Sequence, residues 1–266
     1  MTQNYHVLID EIVNEWIEFA ENMGSTYMKI DRHTILINKA VKISCDFANF
    51  VISSNEMNYS GIIGLGDLFK TDPFSVYYIS QSLEKVGIVR PTKYGSIMYL
   101  SRENWTKYGE RISNSDCQNN STIRIIQFSE NDVAEFADIV FDAFGYESQY
   151  REDSIASYRN GLKSGSVIFY GLIVSGTFVS CLLLHKSERF KIAGLELVST
   201  KRAYQSRGFS KILLKCILNK GFKDGLKYIW LFSIKGSIAE DLYSKLGFKT
   251  ISNIYVFRIS QSRELI

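Results

Sequence analysis

The chain has 266 residues, of which 45% are hydrophobic and 22% charged, and its formal net charge is +3. This apolar content is enough for a packed core, which argues against disorder, and the length allows one large domain or two modest ones. No block of like charges marks a nucleic-acid tail, and no run approaches the ~18 apolar residues of a membrane span.

The first predicted elements form an α/β segment. Apolar residues at helical spacing from Val7 to Met23 predict an amphipathic helix that ends at Gly24. Asp72 as a cap, Pro73 at the first helical position and an apolar stripe ending at Gly87 predict a second helix. Strands are predicted over Thr34–Ile37, Phe47–Ser53 and Ile97–Leu100.

A polar, aperiodic stretch from Arg111 to Thr122 predicts a domain linker. We therefore expect an N-terminal α/β domain over residues 1–115 and a second domain over residues 121–266. The chain from residue 117 onward holds 20 Lys and Arg against 14 Asp and Glu, a balance that suits either an anionic ligand or solvated surface lysines.

After the linker, strands and helices alternate as in a mixed α/β domain. Ser129 and Asp132 form a predicted capping box ahead of a helix that ends at Gly145. Ser175 and Gly176 permit a tight hairpin turn. The predicted strands are 123–128, 167–174, 178–184, 192–200 and 227–233, and the predicted helices are 133–144, 154–162, 209–220 and 238–246.

The cysteines and histidines are scattered along the chain. The four cysteines include no Cys-x-x-Cys pair, so reduced thiols are expected, and no His/Cys cluster has metal-ligand spacing, so no metal is expected. Asp10 and Glu11 lie where a signal peptide would be apolar. These features predict a cytoplasmic protein without nucleic-acid or membrane partners, and they do not specify an oligomeric state.

The chain also contains an internal similarity and a short glycine-rich stretch. Residues 83–88 resemble residues 243–248 at a constant offset of 160, which indicates either a tandem duplication or chance. The stretch from Gly61 to Gly66 has the wrong glycine order for a dinucleotide fingerprint and predicts a turn.

The most informative stretch is a polar loop between a strand and a helix. The strand ends near Thr200, the loop holds Gln205, Ser206, Arg207 and Gly208, and the helix begins at about Phe209. Exposed N–H groups at a helix start, next to a glycine, attract an anion, although many ordinary helices also start this way.

This loop resembles the signature of the GNAT superfamily of acyl-CoA-dependent N-acyltransferases, Arg/Gln-x-x-Gly-x-Gly/Ala. Gln205 and Gly208 fit it, and Ser210 is a small-residue departure at its last position. A second block of that family, Ala-x-x-x-Tyr-x-Lys-Leu-Gly-Phe, matches residues 239–248. Gly236 departs from the family's usual asparagine. Together with the helix and the hairpin that precede the loop, the two motifs extend the resemblance over nearly all of residues 121–266.

The resemblance implies a GNAT fold, which is an α/β (α+β) architecture with a mixed, mostly antiparallel central sheet, a splayed strand pair and flanking helices. A smaller N-terminal α/β domain would precede it, and this would be a degenerate GNAT-like copy if the internal similarity reflects duplication. The implied cosubstrate is acetyl-CoA or another acyl-CoA. The residues implied to bind it are Val198, Ser199, Thr200, Gln205, Ser206, Arg207, Gly208, Phe209 and Ser210.

Two catalytic roles follow. The resemblance implies that Tyr243 protonates the departing CoA thiolate; the alternative is a core tyrosine. Strand alternation predicts that Glu196 shares a face with Val198 and Thr200, so it is the candidate base, the alternative being a salt-bridged strand glutamate.

The implied activity is transfer of an acyl group, expected to be acetyl, to a primary amine of a small molecule or peptide by direct attack. The alternatives are a non-catalytic acyl-CoA-binding sensor or scaffold, and an acceptor other than an amine. Phe144, Tyr146 and Tyr150 either line the acceptor pocket or serve packing.

Overall fold

The computed structural model describes residues 5–30, 33–38, 50–53, 74–80, 91–109 and 122–259. The strands are β1 (Thr26–Ile30), β2 (His33–Ile37), β3 (Phe50–Ser53), β4 (Phe74–Ser80), β5 (Lys93–Ser101), β6 (Ile123–Gln127), β7 (Val167–Val174), β8 (Thr177–Ser187), β9 (Ile192–Thr200), β10 (Tyr228–Ile234) and β11 (Lys249–Ile259). The helices are α1 (Tyr5–Asn22), α2 (Arg102–Gly109), α3 (Val133–Phe144), α4 (Arg151–Ser164), α5 (Phe209–Lys223) and α6 (Ile238–Lys245).

The described strands form one sheet in the order β1-β2-β3-β4-β11-β5-β10-β9-β8-β7-β6. The β3–β4 and β9–β10 pairs are parallel, and the other neighbours are antiparallel. The predicted mixed, mostly antiparallel sheet is therefore confirmed.

Strands from the two ends of the chain interleave at the centre of this sheet. β11, near the C-terminus, lies between β4 and β5, and β5 lies between β11 and β10. Backbone hydrogen bonds therefore join the segment before the predicted linker to the segment after it.

The prediction of a second helix from Asp72 to Gly87 is wrong for residues 74–80, which form β4. The side chains of residues 75–79 are buried without alternation, as expected of a strand covered on both faces. A short apolar run of this kind does not distinguish a helix from a buried strand. The rest of that helix, the turn at 61–66, the linker at 111–121 and the N-terminal copy at 83–88 lie outside the described residues.

The other elements predicted from periodicity are confirmed where the structure describes them. α1 matches the first helix, and the capping box of Ser129 and Asp132 is present. α5 runs through Gly221 to Lys223, beyond its predicted end. Among the described helices, none has the length and apolar content that crossing a membrane requires.

Helices cover both faces of the sheet. The "α1 face" carries a core built with α1, α3 and α4, which includes Trp16, Phe136 and Trp230. The "α5 face" carries a second core built with α5 and α6, which includes Leu213 and Tyr243. Burial of these apolar surfaces fixes the helices against the strands whose ends form the candidate site.

Of the two cysteines that the structure describes, one fits the prediction of reduced thiols and one does not. Cys181 is a buried free thiol, and burial raises its pKa. Cys216 is disulfide-bonded, so the expectation of a reduced thiol there is wrong. Spacing along the chain does not report which sulfur atoms approach in space.

Candidate functional site

β9 and β10 separate partway along their length. They pair only from Ile192 opposite Tyr228 to Leu195 opposite Leu231, although β9 continues to Thr200 and β10 to Ile234. β10 keeps its full pairing with β5 on its other edge. The predicted splayed strand pair is confirmed, and it opens a gap beyond Leu195.

A β-bulge lies at the start of this gap. Leu197 has φ 51, and the register with β8 shifts between Glu196, opposite Leu183, and Ser199, opposite Cys181. Two residues of β9 therefore stand opposite Leu182, which inverts the alternation of side chains beyond that point.

Because of the bulge, the prediction that Glu196 shares a face with Val198 and Thr200 is wrong. Val198 packs with the core of the α5 face, whereas Glu196 pairs with Leu183, whose side chain belongs to the α1 face. Glu196 and Val198 therefore lie on opposite faces of the sheet. Strict alternation would have placed Glu196, Val198 and Thr200 together, and the extra residue separates them.

The backbone of β9 presents polar groups to the gap. Lys201 N–H donates to Val179 O, and Ser199 O accepts from Ser180 Oγ, so residues 199 and 201 face β8. Successive peptide groups of a strand face opposite edges, which directs those of Val198 and Thr200 into the gap. Consistent with this direction, Thr200 O accepts a hydrogen bond from Gln205 Nε2 at 3.0 Å.

The loop between β9 and α5 is exposed and curved. Ser206 and Gly208 both have positive φ, 61° and 81°. Alternating left- and right-handed backbone of this kind forms a concavity of N–H groups that suits an anion. The 15-residue helix α5 starts immediately afterwards at Phe209, with Ser210 in its first turn. Arg207 lies at the same exposed rim, its guanidinium 5.4 Å from the ring centre of Tyr204.

Contacts with α3 hold the start of this loop. Lys201 Nζ lies 2.8 Å from Glu135, and Arg202 N–H donates to Asp142 at 2.7 Å. A Cβ on Gly145, where φ is 70°, would lie 2.5 Å from the Arg202 guanidinium. The loop is therefore packed closely against the C-terminal end of α3.

Glu196 lies where the two strands part, one residue beyond the last β9–β10 pair. Its side chain is 9% exposed, and its Oε1 is 3.8 Å from Nε2 of His185 on β8. That distance is longer than a direct hydrogen bond, and catalytic hydrogen bonds often shorten only when the substrate is bound.

A buried polar cluster lies behind Glu196. Glu15 of α1 contacts Nδ1 of His185, and its second oxygen accepts from Trp230 Nε1–H at 2.8 Å. No sequence motif points to Glu15 or His185. The available signals were a glutamate on the apolar stripe of the first helix and a histidine within an apolar strand, because charged residues are rarely buried unless paired.

Tyr243 lies on α6, on the α5 face of the sheet, and is 6% exposed. Burial raises the pKa of its phenol well above the ordinary value, and the negative charge of Glu196 raises it further. The hydroxyl thus stays protonated at neutral pH, as a proton donor requires.

Hydrogen bonds to Glu240 anchor the start of α6. Glu240 accepts from Ser96 Oγ at 2.6 Å and from Gly236 N–H at 2.7 Å, and Ser237 caps the helix by accepting from Glu240 N–H. Burial alone would raise the pKa of Glu240, but these hydrogen bonds and Lys235 lower it. Ser96 belongs to β5, so a strand from the N-terminal segment helps to place the helix that carries Tyr243.

Two of the three predicted acceptor-site aromatics are exposed. Phe144 and Tyr146 at the end of α3 are each 49% exposed, and their rings stack with centroids 5.4 Å apart. Tyr150 is less exposed. Their part in acceptor binding stays a prediction. Over the ranges that the structure describes, no three His, Cys, Asp or Glu side chains group closely enough to hold a metal ion.

A family model matches the C-terminal part of the chain. Residues 124–251 match the family model described as an acetyltransferase (GNAT) domain. No curated protein is significantly similar to the chain in sequence.

Solved structures show a similar fold over nearly the whole chain. A GCN5-related N-acetyltransferase from Kribbella flavida is 9% identical, with a TM-score of 0.65 over 93% of this chain and 94% of that one. A tandem GNAT protein from the clavulanic acid biosynthesis pathway is 7% identical, with a TM-score of 0.61 over 95% of each chain. A GCN5-related N-acetyltransferase from Sphaerobacter thermophilus is 13% identical, with a TM-score of 0.57 over 97% of this chain and 86% of that one. At these identities the likeness is one of fold.

Proposed function

We propose that residues 124–251, which match the family model of a GNAT acetyltransferase domain, transfer an acetyl group from acetyl-CoA to a primary amine by direct attack. The observation that carries this proposal is the alignment of three features along β9. These are the gap beyond Leu195, the bulge at Leu197 and the loop that has positive φ at Ser206 and Gly208.

The residues present fit acetyl-CoA as a cosubstrate. The loop from Gln205 to Ser210 and the start of α5 offer backbone N–H groups and Arg207 to the diphosphate, because helix starts and arginine both favour phosphate. The gap is open on the side of β10, where the peptide groups of Val198 and Thr200 would hydrogen-bond the pantetheine arm. Ser199 faces β8 and would act by fixing that strand.

The chain's own residues account for each proton movement. Glu196 would accept a proton from the incoming ammonium, which leaves a neutral amine to attack the thioester carbon. A backbone N–H in the gap would stabilise the charge that develops on the carbonyl oxygen. Tyr243 would give its proton to the departing thiolate as the C–S bond breaks, and its phenolate would be restored by the second proton that the attacking nitrogen loses after the C–N bond forms. The products are an N-acetylated amine, CoA with a free thiol and the proton held by Glu196, which is released to solvent.

The diphosphate contact predicts a loss of affinity for CoA in the Arg207→Ala variant. Removing a charge-assisted hydrogen bond is expected to weaken the Kd about tenfold or more, measured by isothermal titration calorimetry. Arg189→Ala is the matched control, because Arg189 is also exposed and its guanidinium lies 5.0 Å from the ring centre of Phe190. Equal Kd values for both variants and the wild type would contradict the diphosphate assignment.

If Tyr243 is the proton donor, its hydroxyl is needed for turnover but not for binding of CoA. Tyr243→Phe keeps the buried ring but removes the hydroxyl, so kcat is expected to fall about 10²-fold while the Kd for CoA stays within about twofold. The assay follows thiol release from acetyl-CoA with a panel containing a diamine, an amino acid, an aminosugar and a lysine peptide. Tyr228→Phe, which removes the hydroxyl of a half-buried tyrosine packed on Tyr99, is the control.

The same assay separates the enzyme from the non-catalytic alternative. Wild-type protein that binds CoA but releases no thiol with any amine of the panel would favour a sensor or scaffold. No heat of association with CoA or acetyl-CoA at millimolar concentration would reject both.

A further inference from the structure

The cluster behind Glu196 links the N-terminal helix to the candidate site. Glu15 of α1 and His185 of β8 are each 1% exposed, and both lie on the α1 face beneath Trp230. Burying two titratable side chains is costly unless they bond each other, and these two do so directly. None of the steps proposed above uses either residue.

The imidazole of His185 is held in one orientation. Phe19 stacks on it with centroids 4.0 Å apart and an interplanar angle of 12°, and Trp230 packs edge-on at 5.5 Å. A Cβ at Gly194 would lie 2.2 Å from both Cε1 and Nε2 of the ring. With Nδ1 bound to Glu15, this packing leaves Nε2 directed at Glu196.

The surroundings favour a neutral pair. Burial raises the pKa of Glu15 well above its ordinary value, and the charge of Glu18 raises it further, against the opposing effects of hydrogen bonds from Trp230 and from the backbone N–H of Gly194. Burial lowers the pKa of His185 despite the charges of Glu196 and Glu18. With the carboxyl proton on Glu15, Nδ1 accepts, and the one proton of a neutral imidazole is on Nε2.

We propose that α1 positions the base: Glu15 donates a hydrogen bond to Nδ1 of His185 and so fixes the tautomer whose Nε2–H points at the Glu196 carboxylate. Glu15 and His185 are then positioning residues, and the N-terminal segment completes the active site of the acetyltransferase domain. This inference rests on the proposed role of Glu196.

The tautomer is tested by ¹⁵N NMR of histidine-labelled full-length protein. The chain has three histidines, and His185→Gln identifies the signal by its loss. We expect a neutral Nε2–H imidazole from pH 6.5 to 8 in the wild type and in Glu15→Gln, whose amide still donates to Nδ1. An Nδ1–H tautomer or an imidazolium in the wild type would overturn the inference.

The pH dependence of the free energy of unfolding gives a second test of the Glu15 proton, and this test does not require acyl transfer. If the native state retains the Glu15 proton that the unfolded chain releases, the free energy of unfolding of the wild type, relative to Glu15→Gln, falls as pH rises from about 5 toward 8. The remaining groups that face the pair, Glu196 and Glu18, are common to both proteins and largely cancel in the comparison. A constant difference over this range would mean that Glu15 is ionised, against the inference.

Kinetics then tests the link to Glu196. Glu15→Leu removes the donor, and the resulting freedom of His185 and Glu196 is expected to lower kcat about 10- to 100-fold with an unchanged KM for acetyl-CoA. Glu15→Gln keeps a donor to Nδ1 and is expected to retain most of the wild-type kcat. Glu18→Gln, at an exposed position on the same helix, is the control for the loss of a negative charge. Equal losses in Glu15→Gln and Glu15→Leu, or none in either, would overturn the inference.

The proposed acetyl transfer and the positioning role of Glu15 and His185 can be rejected independently. Acetyl transfer with the wrong His185 tautomer would reject the positioning role alone. The expected tautomer in a protein that binds no CoA would reject the proposed function. If Glu15→Leu does not fold, the wild-type and Glu15→Gln spectra decide the positioning question.

Discussion

Glu196→Gln is expected to lower kcat/KM for the amine about 10²- to 10⁴-fold, because an amide cannot accept the ammonium proton. The Kd for CoA is expected to stay within about twofold, since the proposed cofactor contacts come from the loop and from the backbone of β9. The substitution is nearly isosteric, so the packing at the start of the gap is preserved. Steady-state kinetics at saturating acetyl-CoA and calorimetry with CoA measure the two quantities.

The control for this prediction is Glu188→Gln, which removes an exposed carboxylate bonded to Lys191 in the β8–β9 hairpin. Its kcat/KM is expected to match the wild type. A Glu196→Gln protein with wild-type kcat/KM at every pH tested would show that the base lies elsewhere. An equal loss in both variants would indicate a general effect of the net charge.

Gly194→Ala is expected to destabilise the folded protein by about 1 to 3 kcal/mol, the usual range for overpacking a core. The added methyl group would lie 2.2 Å from two ring atoms of His185 and 3.0 Å from Cε2 of Trp230. The ring is held by Phe19 and cannot move aside easily. Urea or thermal unfolding measures the change.

A double-mutant cycle identifies the cause of this loss. Combined with His185→Ala, which removes the ring, Gly194→Ala is expected to cost much less than it does alone. Gly221→Ala is the control, because its added Cβ would meet only methyl ends of Leu226 and Ile229 at 3.0 and 3.1 Å, and alanine favours a helix interior. Additive costs in the cycle would mean that the clash is not with His185.

The candidate loop could be predicted from sequence because its determinants are local. Gly208 adopts the left-handed conformation that the motif requires, and the helix that follows begins at Phe209 as its apolar spacing indicates. The same holds for the Ser237 cap ahead of Tyr243. Helix starts, caps and turns depend on a few adjacent residues, so one sequence carries the information.

The face of Glu196 could not be predicted in this way. Strict alternation placed it beside Val198, and one bulged residue at Leu197 put the two on opposite sides of the sheet. The sequence of β4 does not distinguish a strand from a helix for a related reason: its apolar run is buried on both faces, and its pairing with β3 and β11 makes it a strand.

The order of elements in the C-terminal part, its family resemblance and the loop proposed to bind a diphosphate could be predicted from sequence, because these depend on spacing within short stretches. Long-range packing places β11 between β4 and β5, and it brings Glu15 into contact with His185, 170 positions away. Such pairs form when distant segments bury their surfaces together, and no local pattern encodes which segments those will be.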